Sequence, residues 1–164
     1  MTAGFEPLVL TLAQALRERG LKLATAESCT GGLIAAACTA VAGSSDWFEC
    51  GFVTYSNEAK AESLGVDVQL IAAHGAVSRE VALAMADGAL AQANARAQLA
   101  VAVTGIAGPG GGSPDKPVGT VWLATARADE PTQAELLQLH GDRTAIREQT
   151  VRHALHRLIA RASS

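Results

Sequence analysis

Leu8, Leu12, Ala15 and Leu16 recur at helical spacing and Gly20 follows as a stop signal, so residues 6–19 read as an amphipathic helix. Leu21 to Ala26 is a short apolar run and reads as a buried strand. Residues 30–42 are apolar on nearly every side and end at Gly43, the pattern of a buried helix. Phe48 to Ser56 holds the β-formers Phe52, Val53, Thr54 and Tyr55 and predicts a second strand. Short helices are expected over 57–64 and 67–73. A long Ala-rich helix then runs from Ser78, a natural N-cap, to about Ala95. Leu99 to Thr104 is a continuous apolar run closed by Gly105, again a buried strand. A Gly/Pro-rich loop over 105–117 precedes two strands, Val118 to Ala126 and Glu135 to His140, close enough to form a hairpin. Asp142 or Thr144 caps a last helix, in which Val151, Ala154, Leu155, Leu158 and Ile159 make one stripe.

Helices alternating with buried strands predict an α/β fold. The expected form is a three-layer α/β/α sandwich whose sheet is mixed because of the late hairpin. The 164 residues form one domain, 1–164, with no repeat or linker. Hydrophobic residues make up 49% and charged residues 18%, which excludes disorder by low hydrophobicity. Thirteen Lys and Arg against sixteen Asp and Glu give −3, and aromatics are 4%. No basic field or stacking platform for nucleic acid follows from that. No apolar run reaches the ~18 residues of a membrane span, and the N-terminus lacks a signal-peptide pattern. A soluble, cytoplasmic protein is the expectation. Cys29, Cys38 and Cys50 contain no C-x-x-C pair, so neither a disulfide framework nor a zinc site is indicated.

Four segments carry candidate chemistry. Thr25-Ala26-Glu27-Ser28-Cys29-Thr30-Gly31-Gly32 leaves a strand and enters a helix, whose free N–H groups suit an anion or a developing oxyanion. It reads equally as a capping turn in which the glycines merely fit against the sheet. In Tyr55-Ser56-Asn57-Glu58-Ala59-Lys60, Lys60 lies one helical turn past a strand end. It would serve as a base only if partly removed from water, and is otherwise a surface lysine. Glycine fills five of the eight places from 105 to 112, a loop able to turn amides toward a phosphate or carboxylate, yet matching neither named phosphate fingerprint. Ser113-Pro114-Asp115-Lys116 matches S-x-x-K literally, but Pro114 argues against a helical Ser–Lys pair. Arg143 and Arg147 share a helix face and could jointly hold a phosphate, or Arg147 could pair with a carboxylate elsewhere. His153 and His156 lack a ligand pattern and read as solvated; His74 stays open.

In combination and order, TAESCTGGLIA, GFVTYSNEAK, HGAVSRE, AVTGIAGPGGG, KPVGTVW and GDR-x-x-IR resemble one family. It is the nicotinamide-nucleotide amidohydrolase family, also known as the CinA C-terminal domain, and the resemblance runs from about residue 6 to 160. It looks like the stand-alone form. The resemblance implies a five-stranded mixed sheet and deamidation of nicotinamide mononucleotide to nicotinate mononucleotide and ammonia. It implies Ser28 as nucleophile, Lys60 as base and Tyr55 as a residue that orients Lys60 or relays a proton. Thr104 and Gly105 match the segment lining the same pocket. The oxyanion would lie against N–H groups around Cys29, Thr30 and Gly31. The substrate phosphate would need the loop of Gly108, Gly110 and Gly111, Arg143, Arg147, or some of these. The scheme requires no metal or cofactor. Apolar Ala-rich helices could support a homo-oligomer such as a dimer. A non-catalytic nucleotide-binding regulatory module is the alternative; it would keep the glycine loop and arginines but could lose Ser28 or Lys60.

Overall fold

A computed structural model describes residues 2–164. In chain order the elements are α1 (Glu6–Arg19), β1 (Leu23–Glu27), α2 (Leu33–Thr39), β2 (Phe48–Val53), α3 (Asn57–Leu64) and α4 (Val68–His74). They continue with α5 (Arg79–Gln92), β3 (Leu99–Gly105), β4 (Thr120–Arg127), β5 (Gln133–Gln138) and α6 (Arg143–Ser163). The five strands form one mixed sheet in the order β2-β1-β3-β4-β5. β1 pairs parallel with β2 and β3, while β4 runs antiparallel to both β3 and β5. The late hairpin is therefore what makes the sheet mixed.

Side-chain alternation along the strands divides the core in two. Leu23, Leu99, Val101, Val103, Val121 and Leu123 pack with α1, α2 and α6 residues on one face. Ala24, Ala26, Ala100, Ala102, Ala124 and Ala126 face the other side, with the apolar residues of α3, α4 and α5. Alanine on the second face lets the Ala-rich α5 lie close to the sheet. Gly88 of α5 carries that closeness further: a Cβ there would sit 2.1 Å from the Leu64 carbonyl oxygen at the end of α3. Among the described residues no helix is long and apolar enough to cross a membrane.

Several boundaries differ from the sequence expectation, each for a local reason. α2 begins at Leu33 rather than at 30 because Gly31 and Gly32 hold φ of +60° and +101°, which break the helix that the apolar run predicts. It is also not buried all round: Leu33, Ile34, Ala37 and Cys38 face the core while Ala36 and Thr39 reach the surface. β2 stops at Val53, and Thr54 instead donates its N–H to the Glu27 carbonyl at 2.9 Å. Ser78 and Asp142 are the caps of α5 and α6, accepting from the Val81 and Ala145 N–H groups. β5 lies two residues earlier than expected, and in the last stripe Ile159 is only half-buried.

The chain leaves β1 toward β2 on one side and later enters β3 on the other. Ligand crevices in α/β sheets form at such a switch, beyond the carboxyl ends of the strands. The polar turn after β1 and the glycine loop after β3 both leave the sheet there.

Candidate active site

Ser28 is the first residue after β1, and its N–H donates to the Val103 carbonyl at 3.1 Å, the last rung between β1 and β3. That rung fixes the backbone from which the hydroxyl projects. Lys60 comes from the second turn of α3, whose N-cap Ser56 accepts from the Ala59 N–H. α3 follows closely on β2, the strand beside β1, so the two side chains meet although they are thirty-two positions apart in the chain. Lys60 Nζ lies 3.1 Å from Ser28 Oγ, 3.0 Å from the Thr54 carbonyl and 3.1 Å from the Tyr55 carbonyl.

Lys60 is only 1% exposed. Burial pushes its amine below the ordinary 10.5, against a smaller opposing pull from Cys29. Nζ donates to the two carbonyls and to Ser28 Oγ, and the Ser28 hydroxyl faces the Tyr55 carbonyl at 3.5 Å. Cys29, the neighbouring thiol, is held the other way: burial pushes it up to about 11, so it stays protonated near neutrality and is a poor nucleophile.

A cleft of about 190 Å³ opens over this pair. Of the residues singled out from sequence, Ser28, Cys29, Tyr55, Lys60, Thr104, Gly105 and Arg143 line it. Tyr55 meets Lys60 through its main-chain carbonyl; its ring is 62% exposed and its hydroxyl accepts from Arg143 Nη2 at 3.2 Å. Arg143 also donates from Nη1 to the Gly108 carbonyl at 2.7 Å, tying the glycine loop to the mouth of the cleft. Thr104 donates its hydroxyl to the Ala76 carbonyl at 2.9 Å, which holds the 74–78 loop as a wall.

Gly105 is required by packing, since a Cβ there would lie 2.6 Å from Val121 Cγ2 and 3.0 Å from the Thr120 carbonyl. Its N–H has a direction as well. The next amide, Ile106 N–H, donates to Thr120 in β4 at 2.9 Å. Successive amides of an extended chain alternate sides, so Gly105 N–H points toward β1, just past the residue where that strand ends.

The remaining candidates lie outside the cleft lining. Thr30 is buried and donates its hydroxyl to Glu27 at 2.5 Å. Gly31 lies beside Arg147, whose Nη2 would be 3.6 Å from a Cβ built there. Gly110 and Gly111 are exposed on the loop. Arg147 reaches back to the turn after β1, donating to the Cys29 and Thr30 carbonyls. Among the described residues no three His, Cys, Asp or Glu converge as a metal-ligand group.

Sequence reasoning gave no role to Asn57, Ala76, Val77 and Ala107, which complete the cleft wall. It also passed over Glu27, 1% exposed, whose carboxylate accepts from the Ile34 and Ala35 N–H groups at 2.8 and 3.0 Å. A carboxylate ending the apolar strand Leu23–Glu27 was the available signal.

A profile of the family described as "CinA C-terminal domain" matches residues 5–162. The chain is 55% identical to "Nicotinamide-nucleotide amidohydrolase PncC" of Escherichia coli strain K12 over 149 residues, covering 90% of this chain and 88% of that protein. Against the protein of the same name from Pseudomonas putida it is 53% identical over 152 residues, covering 93% of each. Among solved structures, competence/damage inducible protein CihA from Agrobacterium tumefaciens superposes with a TM-score of 0.91 at 51% identity, covering 95% of this chain and 94% of that one. A mixed five-stranded α/β sheet, the switch-point cleft and a match over nearly the whole length lead to one assignment: the chain belongs to the CinA C-terminal domain family.

Proposed function

We propose that this protein hydrolyses the carboxamide of nicotinamide mononucleotide to nicotinate mononucleotide and ammonia, with Ser28 as nucleophile and Lys60 as its base. The observation that carries the reading is the 3.1 Å contact between a buried amine with a lowered pKa and a hydroxyl at the floor of an open cleft. The names of the Escherichia coli and Pseudomonas putida relatives support the substrate.

In this scheme Ser28 Oγ attacks the carboxamide carbon as its proton passes to Lys60, since an alcohol alone supplies almost no alkoxide near neutrality. The carbonyl oxygen becomes an oxyanion facing the Cys29 and Gly105 N–H groups. Lys60, now charged, returns its proton to the departing nitrogen as the C–N bond breaks. Ammonia leaves, and the nicotinoyl group remains as an ester on Ser28. Water then attacks the ester carbon, giving its proton to Lys60, and the Ser28 oxygen leaves with that proton restored. Ala76, Val77 and Ala107 offer an apolar wall for the pyridine ring. Arg143, with Lys60 the only cation among the described residues that line the cleft, would meet the phosphate.

Incubation with nicotinamide mononucleotide should release ammonia and nicotinate mononucleotide in equal amounts. Ser28→Ala should lower turnover by about 10⁴-fold or more with the fold intact. Cys29→Ala, which keeps the main-chain N–H, should retain most of it. Binding without ammonia release, or inactivation by the Cys29 change rather than the Ser28 change, would overturn the scheme.

A further inference from the structure

Arg147 belongs to α6, yet its guanidinium crosses to the turn after β1. Nε donates to the Cys29 carbonyl at 3.2 Å and Nη2 to the Thr30 carbonyl at 3.0 Å. A peptide unit is planar and trans, so its C=O and N–H point in opposite directions. Holding the Thr30 carbonyl therefore fixes the Gly31 N–H, which donates to the Ser28 carbonyl at 3.0 Å. Holding the Ser28 carbonyl in turn fixes the Cys29 N–H. That amide faces its own thiol and donates to no other described residue, and Cys29 lines the cleft.

The turn needs such fastening. Gly31 and Gly32 hold φ of +60° and +101°, which few other residues adopt, and glycine leaves the adjoining peptide planes easy to rotate. Glu27 ties the far end, accepting from the Thr30 hydroxyl and from the Ile34 and Ala35 N–H groups. None of these three bonds touches the peptide plane between residues 30 and 31, whose Thr30 carbonyl is held by the Leu33 N–H at 3.1 Å and by Arg147, which alone of the two also holds the Cys29 carbonyl. A lysine carries one compact ammonium and cannot reproduce the planar fork that spans both carbonyls. The fork engages the Nε–H and one Nη2–H of the guanidinium and leaves its other three N–H groups unengaged.

We propose that Arg147 is a positioning residue which, through two successive peptide planes, sets the direction in which the Cys29 N–H is offered to the oxyanion. The proposal rests on the acyl-transfer reading of the Ser28 cleft.

The test compares Arg147→Met and Arg147→Lys with the parent on nicotinamide mononucleotide and on phosphate-free nicotinamide riboside. A misaimed oxyanion donor should lower kcat about 10- to 100-fold. The factor should be the same for both substrates, with KM nearly constant and the pH limb unmoved. A loss confined to the phosphorylated substrate and expressed in KM would make Arg147 a phosphate ligand and overturn the proposal, as would parental kcat in both variants. Labelling of Ser28 by a fluorophosphonate, in which the Oγ–P bond forms and fluoride leaves, reads the same geometry without the natural substrate. It should slow at least tenfold in Arg147→Met, and an unchanged labelling rate would overturn the proposal. Absence of ammonia release by the parent would sink the amidase reading alone, while the labelling ratio still decides the role of Arg147. Should Arg147→Met fail to fold or the parent resist labelling, the ¹⁵N–¹H resonance of Cys29 in Arg147→Lys decides. Displacement of that resonance supports the positioning role, and coincidence with the parent removes it.

Discussion

Lys60 sits where lysines seldom do, closed off from water with three oxygens around its nitrogen and no carboxylate partner among the described residues. Burial lowers its pKa from 10.5, and the uncharged form is the one able to take a proton from Ser28. The sign follows directly: as pH rises through the depressed pKa, the fraction of free amine grows and so does the rate. The profile of kcat/KM against pH should therefore show a rising limb below 10.5, and Lys60→Met should remove both the limb and the activity. A limb at or above 10.5 would mean that the amine is not desolvated in solution. The order of the motifs pointed to Ser28 and Lys60, but no sequence spacing could give a contact between residues thirty-two apart. Tyr55 shows the opposite case. The resemblance implies that it orients Lys60 or relays a proton; β2 ends early and turns the Thr54 and Tyr55 carbonyls toward the amine, while the Tyr55 hydroxyl accepts from Arg143.

Two contacts between elements set the site from a distance. The first is the N-terminus of α2, where Glu27 takes two of the unpaired helix N–H groups and leaves the preceding turn to Ser28 and Cys29. The sequence reads Gly31 and Gly32 as part of a helix entry facing an anion or of a capping turn fitted against the sheet, and their positive φ values place them in a turn ahead of the helix. The second is the crossing of α5 over the end of α3, the helix that carries Lys60. Helix propensity favours alanine over glycine by about 1 kcal/mol. At Gly88 a Cβ would meet the Leu64 carbonyl oxygen at 2.1 Å, and forcing backbone apart in a packed core costs ~1–3 kcal/mol. The overlap is with backbone and should win. Gly88→Ala should lower the Tm by up to ~8 °C in calorimetry, at roughly 2–4 °C per kcal/mol for a domain near this size, and should lower kcat by shifting α3. A rise in Tm would show that α5 and α3 are not in contact at this point.

At the scale of the whole molecule, a buried base links the site to folding. The unfolded chain holds the Lys60 proton up to about 10.5, whereas the folded state releases it at lower pH, so the unfolded state binds more protons in that window. Stability contributed through Lys60 therefore rises with pH between the depressed folded pKa and 10.5 and is lost as pH falls through the folded value. Cys29 and Cys38, pushed up to about 11 and about 12, act in the other direction, but only above ~9, where free thiols begin to ionise. Denaturant titrations of the parent and Lys60→Met at pH 6, 7, 8 and 9 should show the parent gaining stability relative to the variant as pH rises. Parallel curves would mean that Lys60 keeps its ordinary pKa in the folded protein.

The apolar periodicity by itself determined which segments are helices and strands, that the last two strands form a hairpin and that the sheet is therefore mixed. Local pattern suffices there, because each segment must bury its own apolar face wherever it ends up. Ser78 and Asp142 as caps were readable for the same reason. What only the tertiary structure decided is which polar groups meet. The β2-β1-β3 strand order brings the turn after β1, the end of β2 with α3, and the glycine loop after β3 to one edge of the sheet. It also lets α6 send Arg147 to the turn and Arg143 to the cleft mouth. Those encounters depend on distances across the fold rather than along the chain, and distance across the fold is what a linear pattern does not contain.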